Sequence, residues 1–292
     1  MKHSFTYYLV MMALKFKGIK EIFSSEVIDY NRLRQQDTDA PSNHFYKSYS
    51  TSFEILGTKV NAVTQNDSNT RLCLFIHGGA FVSGPSLHHW DVVAYLASKT
   101  NVTYWMCNYP KAPEHQIEEI LTSIKAVYNK ALERYLPENI TILGDSAGGT
   151  LALALIQSLV EQRGSTPNKL ILITPLVDST YENIKIAEVE KKDKMLSVSG
   201  AKSAKQMAAG NLPLSHPMLS PVRGSFNSFP ETIVFMATDD ICYPDQLLMM
   251  EQLKKANVKH RSITGEGMPH IWVYLPILKE GVQARKQLLA YF

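Results

Sequence analysis

The chain has 292 residues, more than one ordinary domain requires and fewer than two comfortable ones. Hydrophobic residues make up 45%, enough for a large core, and Lys+Arg 30 against Asp+Glu 27 leaves a net charge of +3. That is too weak for a nucleic-acid binder, which needs a concentrated basic face. Gly 15 and Pro 14 exclude a fibrous or low-complexity chain.

Along the chain, Phe5, Tyr8, Leu9, Met12, Phe16, Ile19 and Phe23 fall at helical spacing, followed or interleaved by Lys15, Lys17 and Lys20. The run is too short to span a bilayer and has no small-residue cleavage site after it. It reads as a helix packed on its own protein. Its basic amphipathic character also fits weak contact with a membrane or lipid. The polar segment Asn31 to His44 reads as a loop. Residues 46–56 and 58–63 suggest a hairpin joined near Gly57. Arg71 to Ile76 is a short apolar run, as expected of a strand buried on both faces.

From there strands and helices alternate. A helix is predicted around Leu87 to Ser98, a strand over 102–108, a helix over 117–135 and a strand over 139–144. A strongly apolar helix follows from Ala147 to Gln162, then strands over 170–175, 231–238 and 259–264. Helices are expected around 245–256 and 276–291. This alternation predicts an α/β fold with a mostly parallel sheet flanked by helices. Two stretches break it: residues 1 to about 45, and Ser179 to about Pro213. Cys73, Cys107 and Cys242 show neither metal spacing nor a disulfide framework, which predicts reduced core thiols and a cytoplasmic protein.

Gly144-Asp145-Ser146-Ala147-Gly148 is the one G-x-S-x-G in the chain, and it joins a predicted strand to a predicted helix. A serine on that turn is lifted into the open by a tight backbone, which small neighbours permit. The helix N-terminus puts amides and a positive dipole end beside any developing charge. His77-Gly78-Gly79-Ala80-Phe81 ends the strand at Ile76. A tetrahedral intermediate needs preorganised N–H donors, and we assign Gly78 and Gly79, with Ala147 as the third. His77 is expected to hold the loop.

A serine needs a base, and this architecture orders serine, acid, histidine. Of nine histidines, His260 and His270 fit that order, and His216 is disfavoured. His260 begins a strand, whereas His270 lies in a loop beyond one, where ligand-facing groups sit. His270 is therefore the expected base. Asp240, in the loop after the preceding strand, is the expected acid, with Asp239 and Asp245 as rivals. Asp245 also suits a helix-capping role.

These residues resemble the hormone-sensitive-lipase-like branch of the α/β-hydrolase fold, which includes many bacterial carboxylesterases. The resemblance covers roughly residues 70 to 275. His77 to Phe81 is similar to the family's HGGGF, Tyr109 to His115 to its Y-R-L-A-P-E-H, and Gly144 to Gly149 matches GDSAGG. Ala237 to Cys242 aligns with its acid motif and favours Asp240 over Asp239. Gly267 to His270 resembles its histidine loop. Ala80 departs from the third glycine, and Pro110-Lys111 from Arg-Leu.

The resemblance implies hydrolysis of carboxylic esters, usually with short acyl chains, through an acyl-enzyme and with no metal or organic cofactor. It also implies a catalytic domain over 46–178 and 214–292, with a helical cap formed by 1–45 and 179–213. The implied partner is a small-molecule ester. Rival readings are an amidase of the same fold, such as an arylformamidase, and a non-catalytic small-molecule receptor, a role this fold takes on when its histidine is lost, whereas Ser146, Asp240 and His270 are all present here. A lipase acting at interfaces would rest on the N-terminal helix alone.

Overall fold

The structure is a computed structural model, and it describes residues 3–16, 18–40, 49–66 and 69–292. Among the described residues eight strands form one sheet: β1 (Tyr49–Ile55), β2 (Thr58–Thr64), β3 (Leu72–Ile76), β4 (Thr103–Asn108), β5 (Ile140–Asp145), β6 (Lys169–Ile173), β7 (Glu231–Ala237) and β8 (His260–Gly265). Their order is β1-β2-β4-β3-β5-β6-β7-β8. β2 runs antiparallel to both its neighbours, and every pairing from β4 to β8 is parallel. The crossing of β3 and β4 places β3 beside β5. The loops that leave those two strands are thereby neighbours.

The side-chain alternation of the strands sorts the core onto two faces. Leu72, Leu74 and Ile76 of β3 point to one face, with Ile142, Leu172, Val234 and Met236. Cys73 and Phe75 point to the other, with Leu143, Ile171, Ile173, Ile233 and Phe235. Helices α5 (Ile117–Leu132), α6 (Ser146–Glu161) and α9 (Tyr243–Lys255) cover the first face. Helices α4 (Leu87–Ala97) and α10 (Lys279–Leu289) cover the second. The continuous apolar runs of the central strands follow from this two-sided burial. Cys73, Cys107 and Cys242 are buried free thiols.

The N-terminal stretch differs from the single helix expected over 5–23. α1 (Phe5–Phe16) ends before Gly18, whose φ of 62° turns the chain into the one-turn α2 (Ile19–Ile22). Lys17 lies outside the described residues. Leu14 of α1 is buried, and Tyr7, Val10 and Met11 pack beside it on the second face. Phe5, Tyr8, Leu9, Met12 and Phe16 are exposed. The expected loop over 31–44 is corrected at its start. α3 (Tyr30–Arg34) is a short helix capped by Asp29, whose side chain accepts from the Arg32 amide at 3.0 Å. The end of that segment lies outside the described residues, as does the boundary expected at 45/46.

The stretch after β6 holds α7 (Ile186–Glu190) and α8 (Val198–Ala209). It joins the N-terminal stretch at several points. Lys20 Nζ donates to the carbonyls of Glu190 and Asp193. The Gly200 amide donates to the Phe23 carbonyl at 2.8 Å. A Cβ on Gly200 would stand 2.3 Å from that oxygen, so only glycine permits the crossing. Among the described residues no helix is long and apolar enough to cross a membrane.

Candidate active site

β5 ends at Asp145 in an extended conformation, and α6 begins on the next residue. Ser146 takes the strain of that junction, with φ of 49°, a left-handed value that a non-glycine residue rarely holds. The neighbours make the turn possible. A Cβ on Gly144 would meet the Gly148 carbonyl oxygen at 2.7 Å, and one on Gly148 would meet the Ile76 carbonyl oxygen at 2.0 Å. The second contact presses the first turn of α6 onto the end of β3, where His77 begins the glycine loop.

That loop lies against the serine. A Cβ on Gly78 would sit 2.3 Å from Asp145 Oδ2 and 3.0 Å from Ser146 Cβ. Gly79 has φ of 115°, and a Cβ there would run into the Ser83 carbonyl at 2.2 Å. Ala80 and Phe81 follow with φ of 58° and 69°. Ala80, in place of a third glycine, is thus still held in a left-handed conformation. His77 is fully buried. Its Nδ1 is 2.6 Å from the Gly78 carbonyl oxygen, and its ring stacks on Tyr109 at 4.4 Å between centroids. Burial pulls its pKa well below the ordinary histidine value. A neutral ring in the wall is a loop support, as expected from the sequence. Arg34 braces the same loop from α3 by donating Nε–H to the Val82 carbonyl at 2.8 Å.

His270 and Asp240 are brought together. His270 Nδ1 lies 2.7 Å from Asp240 Oδ2, and both side chains are buried. The other oxygen, Oδ1, accepts from the Cys242 amide at 2.9 Å. Burial pulls His270 down, but the Asp240 charge, its hydrogen bond, and the charges of Asp193 and Asp145 outweigh that, so its pKa is raised. The histidine loop is pinned by the Ile271 amide, which donates to Thr174 Oγ1 at 3.1 Å, and by Trp272 Nε1–H, which donates to the Met236 carbonyl. Two residues beyond Thr174, the Leu176 amide donates to the Ser146 carbonyl at 3.1 Å. One short stretch after β6 therefore anchors both the serine turn and the histidine loop.

The rivals lie elsewhere or do other things. His260 bonds the turn that precedes its own strand, with Nδ1 2.7 Å from the Val258 carbonyl oxygen. His216 donates and accepts within its own turn. The Asp239 amide donates to the Met268 carbonyl. Asp245 sits in the first turn of α9 and accepts from Asn183 at 2.8 Å.

Three groups near the site are not among the residues that the sequence singles out. His89 Nδ1 accepts the Ser86 amide proton at 3.0 Å, which leaves the ring proton on Nε2, 3.3 Å from Asp145 Oδ2. The pair is buried and holds the carboxylate behind Gly78. The spacing Ser86–His89 is that of a capping box and was the available signal. Asp193, hidden in the charged run EVEKKDK, is buried and accepts from the amides of Met195, Leu196 and Ile241 at 2.8–2.9 Å. Burial and the neighbouring Asp240 push its carboxyl up to about 6. Lys205 of α8 is buried with its ammonium 4.1 Å from the centre of the Phe81 ring.

Among the described residues Asp240, Cys242 and His270 are the one grouping of three potential metal ligands, with their ligand atoms within 4.8 Å of one another. They suit a metal poorly. The carboxylate and imidazole already bind each other, and burial with the nearby Asp240 and Asp193 charges pushes the Cys242 thiol well above its ordinary value.

Residues 73–274 match the model of an α/β-hydrolase fold family. The chain belongs to that family. An esterase from Acinetobacter venetianus is 31% identical over 207 residues, covering 70% of this chain and 68% of that protein. An acetyl-hydrolase from Streptomyces hygroscopicus is 26% identical over 220 residues, covering 73% of this chain and 72% of its own. A solved esterase of the bacterial hormone-sensitive lipase family superposes with a TM-score of 0.85 at 20% identity, covering 100% of this chain and 98% of that one. At that identity the likeness speaks for the fold.

Proposed function

We propose that Ser146, His270 and Asp240 form the catalytic triad of a carboxylesterase, and that the amides of Gly78, Gly79 and Ala147 bind the oxyanion. The chain is a carboxylesterase-type α/β-hydrolase. The observation that carries the site assignment is the buried 2.7 Å pair of His270 and Asp240, anchored to the same stretch after β6 as the strained Ser146 turn.

In this reading His270 Nε2 takes the Ser146 proton as the hydroxyl oxygen attacks the ester carbonyl. Charge moves onto the former carbonyl oxygen, where fixed amides stabilise it without reorganisation. The imidazolium, held in orientation by Asp240, returns its proton to the leaving alcohol. Water then attacks the acyl-serine through the same base, and the acid and free enzyme result. No metal or organic cofactor is assigned to any step.

We place the substrate preference at short acyl esters, in line with the acetyl-hydrolase relative. The stretches 1–45 and 179–213 are assigned as a cap over the site, on the strength of the bonds between Lys20, Phe23 and α7–α8. The three buried free thiols fit a cytoplasmic enzyme. The exposed apolar side of α1, with Lys15 near its end, has the composition of weak lipid contact, which flotation with anionic vesicles tests. An acyl series of p-nitrophenyl esters from acetate to palmitate tests the preference. Rates that fall beyond butyrate or hexanoate support it, and a maximum on the longest chains overturns it. Faster cleavage of a matched N-formyl arylamine would favour the arylformamidase reading.

A further inference from the structure

Among the described residues Lys205 is the one buried lysine, and the proposed mechanism leaves its setting unexplained. It is 2% exposed and lies on α8 among Gly200, Ala201, Ser203, Ala204 and Ala208, a face otherwise made of small side chains. Its ammonium rests over the ring of Phe81, which follows Gly78 and Gly79 in the glycine loop. Cys242 is near enough to act on its charge, and the Cys242 sulfur is within 4.8 Å of ligand atoms of both Asp240 and His270. The ammonium is therefore seated on the glycine loop through Phe81, with the acid loop near enough to act on its charge.

Among the described residues Lys205 has neither a hydrogen-bond acceptor nor an ion-pair partner. Asp240 is engaged by His270 and the Cys242 amide, and Asp193 by three backbone amides. Burial brings the lysine down to about 7, with Cys242 opposing that fall weakly. A methionine would fill the same volume with no desolvation cost, and the stacking on Phe81 offsets only part of that cost. A buried amine without an anion, packed on the glycine loop, has the electrostatics of a half-built ion pair.

We infer that Lys205 binds a carboxylate carried by the substrate, so that the enzyme prefers esters bearing a free acid group to neutral esters of the same shape. The inference rests on the esterase reading and deepens it. The acid group can belong to the acyl part, as in a monoester of a dicarboxylic acid, or to the alcohol part, as in an acylated hydroxy acid.

The test uses the full chain and two isosteric pairs. Ethyl hydrogen glutarate against ethyl glutaramate places the charge on the acyl side. 3-Acetoxypropanoate against 3-acetoxypropanamide places it on the alcohol side. We expect kcat/KM to favour the anion by about tenfold or more in one pair, mainly through KM, since a charge-assisted hydrogen bond is lost with the amide. Lys205→Met should abolish that ratio and Lys205→Arg should keep most of it; Lys205→Gln serves if the methionine variant does not fold. A wild-type ratio at or below one in both pairs overturns the inference, as does a ratio that survives Lys205→Met. Failure on all four esters together with p-nitrophenyl acetate overturns the esterase reading itself.

Discussion

Gly78→Ala perturbs the site with a single methyl. The added carbon would stand 2.3 Å from Asp145 Oδ2, and 3.0 Å from both the Asp145 carbonyl oxygen and Ser146 Cβ, where ordinary Cβ contacts begin near 3.4 Å. The carboxylate cannot swing aside freely, because it is buried and faces His89 Nε2 at 3.3 Å. Relief therefore requires the glycine loop to retreat by about 1 Å from the serine, a misplacement that costs roughly 10²-fold in rate. Loss of one well-placed oxyanion donor costs roughly 10²–10³ in kcat. We expect kcat/KM on p-nitrophenyl acetate to fall by about that much, with circular dichroism unchanged. Gly164→Ala is the control, since a Cβ there meets nothing closer than 3.5 Å. A G78A enzyme with wild-type kcat would refute the placement of the glycine loop at the reacting carbonyl.

Four further outcomes rest on the same geometry. Asp240→Asn should lower kcat by about 10⁴, because the amide stabilises neither the tautomer nor the imidazolium, whereas Asp239→Asn should stay within a few-fold; the reverse order in steady-state assays would move the acid by one residue. The raised pKa of His270 puts the acid limb of kcat/KM above the ordinary histidine value, with activity gained as pH rises and the base loses its proton. Asp193→Asn removes one of the charges that raise it, so the limb should move to lower pH, and a limb that stays in place would remove Asp193 from the site's electrostatics. The same variant loses an acceptor for buried amides, and its unfolding free energy should fall by roughly 1–3 kcal/mol in a denaturant titration.

Much of the sheet was legible because buried parallel strands must be apolar on both faces. Runs such as Leu72 to Ile76 and Leu170 to Ile173 advertise that directly. The strand-to-helix junction at Ser146 was legible because its backbone demands small residues at 144 and 148. The break at Gly18 was not, since the apolar spacing runs on through a residue that leaves the helix. α3 hid in a polar segment because its stability comes from the Asp29 cap and from Arg34 reaching Val82, Ala112 and Glu114. Asp193 and Lys205 hid for a related reason. Charged residues read as surface, and only tertiary structure shows that these two are buried beside the loops that carry Asp240 and Phe81.

Every step of the proposed mechanism depends on Ser146 as the nucleophile. Intact-mass measurement of the full chain after exposure to a fluorophosphonate tests it most directly. A single stoichiometric adduct is expected, located on Ser146 by peptide mapping, with no adduct and no ester turnover in Ser146→Ala while its circular dichroism is kept. An unlabelled wild type, or a Ser146→Ala variant that still hydrolyses p-nitrophenyl acetate at the wild-type rate, would contradict it.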